Sequence, residues 1–151
     1  MYISSDLTDL LREFVAYGVR FLIVGAHAVS FYSRPRNTSD FDIWVDSQHE
    51  NAERVYKALA AFGAPLDNLT VEDLMSDDTV FQIGVGDNRI DILTGLTGLT
   101  FEAAWPRRTP EKVEGIDAAF IGKDDLIANK RATGRHRDLG DVEMLLSDAQ
   151  D

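Results

Sequence analysis

The six residues Asp40-Phe41-Asp42-Ile43-Trp44-Val45 constrain this chain more than any other stretch of it. The run reads as a β-strand. On a strand, side chains i and i+2 share a face, so Asp40 and Asp42 point one way while Phe41 and Ile43 point toward a core. Two like charges then stand side by side. Neighbouring carboxylates raise each other's pKa unless a cation lies between them, so the pair is costly without a metal or a base. Mg²⁺ suits it, because that ion takes oxygen ligands, commonly one or two carboxylates with water and substrate phosphate completing the shell. The other reading is a strand end in solvent with Asp40 capping a turn, and the tripeptide alone is too short to decide.

Asp91 adds weight to the metal. In Arg89-Ile90-Asp91-Ile92-Leu93 it is an acid between two β-branched residues of an otherwise apolar strand, and an unpaired buried charge is costly. If this strand lies beside Asp40 to Val45, three carboxylates converge on one spot, where one or two Mg²⁺ ions would orient a triphosphate. Upstream, Val24-Gly25-Ala26 ends a strand and opens a helix. Free backbone N–H groups and a missing Cβ there let a phosphate approach, although plain turn geometry explains such a glycine more often.

The remaining pattern mixes helices with strands. Leu7, Leu10, Leu11, Phe14 and Val15 follow helical spacing up to Gly18, and Phe21 to Val24 is a short buried strand. A brief helix is expected from Ala26 to Tyr32 and a loop from Ser33 to Ser39. Ser47 with Glu50 predicts a capping box, opening a helix with Ala52, Val55, Tyr56 and Leu59 on its apolar face and Gly63 at its end. Ala64 to Asp78 is acidic and irregular, with one helical turn at Val71 to Met75. Val80 to Val85 and Arg89 to Leu93 flank Gly86-Asp87-Asn88 as an antiparallel hairpin. A short helix from Phe101 to Trp105 should stop at Pro106, and Ala118 to Ile121 should form a last strand. Asp124 to Thr133 and Asp138 to Leu146 predict two helices hinged at Gly134. Together these indicate an α/β or α+β fold, a mixed β-sheet with a βαβ start and helices packed on it.

Composition narrows the function. At 151 residues and 44% hydrophobic content, the chain suits one domain spanning 1–151. It has no cysteine, which excludes a cysteine nucleophile and thiolate metal sites. A net charge of -11 opposes adhesion to long nucleic acid or to an anionic membrane. Residues 1–5 lack the basic n-region of a signal peptide, so a cytoplasmic protein is expected. One basic island runs against the acidity: Lys130, Arg131, Arg135, His136 and Arg137. It reads either as a solvated helix end or as a phosphate-binding element. His27, His49 and His136 have no metal-ligand spacing and are assigned no catalysis.

Taken in order, Val24-Gly25-Ala26, Asp40-Phe41-Asp42 and Asp91 resemble the signature of the DNA polymerase β-like nucleotidyltransferase superfamily. The similarity is to its small bacterial minimal members, related to antibiotic nucleotidyltransferases and abortive-infection toxins of toxin–antitoxin systems. The wider string Arg36-Asn37-Thr38-Ser39 before Asp40 and the C-terminal Lys130 with Gly134-Arg135-His136-Arg137-Asp138-Leu139 look like the same group. Ala26 departs from it, since that turn usually carries Gly or Ser, and leaves phosphate grip to N–H groups.

The resemblance implies a nucleotidyltransferase fold and transfer of a nucleoside monophosphate from an NTP to an acceptor hydroxyl. Asp40 and Asp42 would bind Mg²⁺, and Asp91 would complete the metal shell and accept the hydroxyl proton. Gly25, Ala26, Arg36, Thr38, Lys130 and Asp138 would form the nucleotide-binding set. Asp138 would orient Lys130 or Arg135, or cap the last helix, whose start it occupies. Lys130 is expected at the surface, where its loss adds little to instability. The acceptor is a protein, a small molecule or an RNA end, with recognition from a partner protein in one version. The alternatives are a non-catalytic, antitoxin-like nucleotide-binding module and a metal-dependent phosphohydrolase.

Overall fold

The structure, a computed structural model, describes residues 5–34, 40–84 and 89–148. The elements in order are α1 (Ser5–Ala16), β1 (Phe21–Val24), α2 (Gly25–Tyr32), β2 (Asp40–Val45), α3 (His49–Phe62), α4 (Val71–Met75), β3 (Val80–Ile83) and β4 (Arg89–Leu93). They continue with α5 (Phe101–Ala104), a 3-10 turn (Trp105–Arg107), β5 (Lys112–Val113), β6 (Ile116–Asp117), α6 (Lys123–Thr133) and α7 (His136–Asp148). Among the described residues no helix is long and apolar enough to cross a membrane.

Four strands form one sheet in the order β1-β2-β4-β3. β2 pairs β4 in parallel, whereas β1 with β2 and β3 with β4 are antiparallel, so the sheet is mixed as expected. The βαβ start is not found, because β1 and β2 run in opposite directions. The chain leaves β1 through Gly25, at φ +70°, straight into α2, and α2 lies against both strands and returns the chain for antiparallel pairing. The tip of the expected hairpin, Gly86-Asp87-Asn88, lies outside the described residues.

Helical periodicity translates directly into packing. α1 buries Leu7, Leu10, Leu11 and Phe14, spaced to share one face, and packs on α3. Val15, expected on that face, is 44% exposed. α3 buries Ala52, Val55 and Leu59 and ends at Gly63, whose φ of 95° lets its N–H reach the Leu59 and Ala60 carbonyls. The Ser47–Glu50 capping box does not form: Gln48 is the N-cap and no side chain caps the helix. Asp46 accepts from the Gln48 N–H instead, and buried Asn51 donates to the Arg20 and Asp46 carbonyls, so tertiary bonds fix this end. A capping box does form at α4, between Thr70 and Asp73.

The C-terminal half adds detail and one further correction. The short helix expected from Phe101 to Trp105 ends at Ala104, and Pro106 follows in a 3-10 turn, where its missing N–H costs nothing in the first turn. Ala118 to Ile121 is not a strand of its own: the Ile23 N–H bonds the Ala119 carbonyl and the Ile121 N–H bonds the Ile23 carbonyl, which covers the outer edge of β1. A two-residue ladder between Lys112–Val113 and Ile116–Asp117 carried too little pattern to be read beforehand. The two final helices meet at Gly134, at φ +68°, as the glycine predicted.

Candidate active site

The strand register gathers the acids. Asp42 is paired with Asp91 across the parallel β2–β4 ladder, and Asp40 with Arg89 two residues earlier. Directly paired residues share a sheet face, so Asp40, Asp42, Arg89 and Asp91 all point the same way. Trp44 continues that face but is buried and packs edge-on against Phe101 of α5, with ring centroids 5.2 Å apart. Helices thus cover one end of the face and leave the acids at the other.

Gly25 closes the floor of this end. A Cβ built on it would overlap the Asp42 carboxylate, with Cγ at 3.0 Å and Cβ at 3.1 Å. Only glycine therefore lets the strand–helix turn and the Asp42 side chain share the space. Ala26 follows in the first turn of α2, and Val24 provides no side-chain cap.

The charges around the acids are unequally shared. Arg89 Nη2 donates to Asp40 Oδ2 at 2.7 Å, and its Nε lies 3.2 Å from Asp91 Oδ1. Asp42 bears the cost of the crowding. Burial first, then the charges of Asp91 and Asp40, push its pKa up to about 6, against the opposing pull of Lys130 and Arg89.

Lys130 reaches this site from α6 and is far from the exposed surface residue expected: its side chain is 12% exposed. Nζ lies 3.4 Å from Asp138 Oδ1 and 3.3 Å from Asp141 Oδ2, both buried on α7. Asp138 lies within α7 and serves as a hub between the two helices. It accepts from Thr133 at 2.6 Å and from Arg135 Nε at 2.6 Å as well as from Lys130. Burial works to raise the pKa of Asp138, but these donors outweigh it and hold the carboxyl below the usual range. The basic island is thereby split, with Lys130 turned inward and Arg135 60% exposed.

His27 packs its ring against Phe41, with centroids 4.4 Å apart, and burial lowers its pKa. His49 pairs with Glu53 on the surface of α3. Arg36 and Thr38 lie outside the described residues. Arg89, Thr133 and Asp141 were missed beforehand. For Arg89 the signal existed: it stands two residues before Asp91 on the same strand face. The partners of Lys130 depend on how α7 folds back on α6, which no local pattern encodes.

No protein-family model and no curated protein sequence matches this chain. Its similarity to known proteins lies in three dimensions. The lincosamide antibiotic adenylyltransferase LnuA, solved with lincomycin bound, matches with a TM-score of 0.60 at 15% identity, over 97% of this chain and 99% of that one. The antibiotic-resistance factor ANT(2'')-Ia matches with a TM-score of 0.64 at 12% identity, over 96% and 83%. This chain shares the fold of these nucleotidyltransferases. A nucleotidyltransferase-like protein from Paracoccidioides brasiliensis shares it at 14% identity and a TM-score of 0.53, over 97% and 77%.

A divalent ion on this nucleotidyltransferase fold would meet oxygen donors, the set that Mg²⁺ prefers. The donor chemistry fits: Asp42 is crowded by its neighbours, and Asp91 Oδ1 is buried with no hydrogen-bond partner. The arrangement of the free chain is less open. Among the described residues no three acidic or histidine side chains come close enough together to hold a metal ion.

Proposed function

We propose that this chain is a Mg²⁺-dependent nucleotidyltransferase that moves a nucleoside monophosphate from an NTP to an acceptor hydroxyl. The observation that carries this reading is the pairing of Asp42 with Asp91, two residue pairs beyond Asp40, at the end of the sheet where Gly25 opens α2. The acceptor oxygen attacks the α-phosphorus, the bond from that phosphorus to the bridging oxygen breaks, and pyrophosphate leaves. Asp91 accepts the hydroxyl proton, directly or through a water. Asp40, Asp42 and Asp91 would hold Mg²⁺, which when bound orients the triphosphate and neutralises charge on its oxygens. The N–H groups of Gly25 and Ala26 face phosphate in this reading, as the start of a helix favours. Lys130 contributes a positive charge held in place by Asp138 and Asp141. Arg36 and Thr38 enter by resemblance alone.

A small hydroxylated molecule is the first acceptor to test, because the lincosamide adenylyltransferase matches this chain over nearly its whole length and binds such a molecule. Incubation with each NTP, Mg²⁺ and a panel of small hydroxylated compounds should release pyrophosphate and add one nucleotide to the mass of an acceptor. A protein or RNA acceptor would show the same mass gain in those arms. Release of inorganic phosphate alone would make the chain a phosphohydrolase. Nucleotide binding with neither product would make it a non-catalytic module.

A further inference from the structure

Resting on the reading of Asp40 and Asp91 as metal ligands, we infer that Arg89 is a resident counter-cation that occupies a divalent ion's position between them and withdraws when the ion binds. One guanidinium spans acids on two adjoining strands, with Nη2 2.7 Å from Asp40 Oδ2 and Nε 3.2 Å from Asp91 Oδ1. A bridging ion would make the same link. The two contacts differ in quality. Nη2 makes an aligned hydrogen bond, whereas Nε and Asp91 Oδ1 are buried without a hydrogen-bond partner, although they are in ion-pair range. On the Asp91 side the attraction is therefore Coulombic and lacks the directional bonding that makes an arginine–carboxylate fork strong.

The surroundings allow withdrawal. The Arg89 side chain is 35% exposed, so its guanidinium has a path toward solvent that a buried arginine lacks. A divalent ion brings twice the charge in a smaller radius and binds carboxylate oxygens directly, so it outcompetes a guanidinium that is only half bonded. In the absence of metal, the same contact limits repulsion between β2 and β4. Arg89 is thus a positioning residue for the carboxylates.

The test is titration of the full chain with Mg²⁺ alone, without nucleotide, by calorimetry, comparing wild type with Arg89→Gln. Removal of the competing charge should tighten Mg²⁺ binding about tenfold. In wild type, the Arg89 Nε–H resonance, assigned by its disappearance in Arg89→Lys, should move saturably with the same midpoint as the heat. This second measurement holds even if Arg89→Gln folds poorly. Equal or weaker Mg²⁺ affinity in Arg89→Gln, or an Arg89 resonance that ignores saturating Mg²⁺, overturns this inference and leaves the metal reading standing. Absence of Mg²⁺ binding in both proteins overturns this inference, and overturns the metal reading as well if Mg²⁺ with nucleotide also fails to bind wild type.

Discussion

The carboxylate of Asp42 lies in the space that a β-carbon on Gly25 would fill. The turn that opens α2 and the second acid of β2 are thus mutually dependent, and Gly25 also stands at φ +70°, where an L side chain is strained. Gly25→Ala should therefore act twice. It should lower unfolding free energy by about 1–3 kcal/mol, through left-handed backbone strain and displacement of Asp42. It should also weaken Mg²⁺–nucleotide binding beyond what lost stability explains. Chemical denaturation with parallel nucleotide titration checks both, and unchanged stability would mean the two residues are not coupled.

Asp42 makes stability depend on pH in the direction opposite to most carboxylates. Its folded-state pKa, pushed up to about 6, lies above the ordinary value of 3.8. Its contribution is thus fully present below about pH 4 and is lost as pH rises through about 6, a change of at most roughly 3 kcal/mol. Asp42→Asn keeps the shape and removes the charge, so it should flatten this part of the profile and equal or exceed wild type in stability at pH 7 without metal. Its gain in melting temperature on adding Mg²⁺ and nucleotide should shrink. A variant less stable than wild type at pH 7 that keeps the full gain would make Asp42 a structural residue.

Asp138 predicts the reverse dependence. Its pKa is held below the usual carboxylate value, so its stabilisation is present above about pH 4 and is lost as pH falls further. Asp138→Asn should cost about 3–5 kcal/mol at pH 7, because it leaves the largely buried Lys130 short of one partner. It should also remove part of the acid-side loss of stability. Urea denaturation at pH 3, 5 and 7 measures both effects, and a variant with the wild-type acid limb would assign that limb to other carboxylates.

Lys130→Met tests the inward lysine. Its ion pairs with Asp138 and Asp141 mean that the replacement takes a shared cation from two buried acids, so stability should fall by roughly 2–4 kcal/mol at pH 7. If Lys130 also meets the triphosphate, nucleotide affinity measured well below the melting temperature should drop about tenfold or more. A stability loss with unchanged affinity would confine Lys130 to bracing α6 against α7.

The sequence alone determined what depends on near neighbours in the chain. The 3.6-residue period put Leu7, Leu10, Leu11 and Phe14 on one face of α1. The two-residue period put Asp40 and Asp42 on one face of β2, and Gly63 and Gly134 marked two helix ends. Such patterns are legible because backbone geometry fixes them over a few residues. Only the tertiary structure decided which strands are neighbours, and so that Asp91 stands beside Asp42 while β1 runs antiparallel to β2. It also decided that Arg89 lies between Asp40 and Asp91, and that Lys130 turns inward to Asp138 and Asp141. Strand order, register and helix docking are set by the core as a whole, and an ion pair between distant residues leaves no periodic trace in either segment.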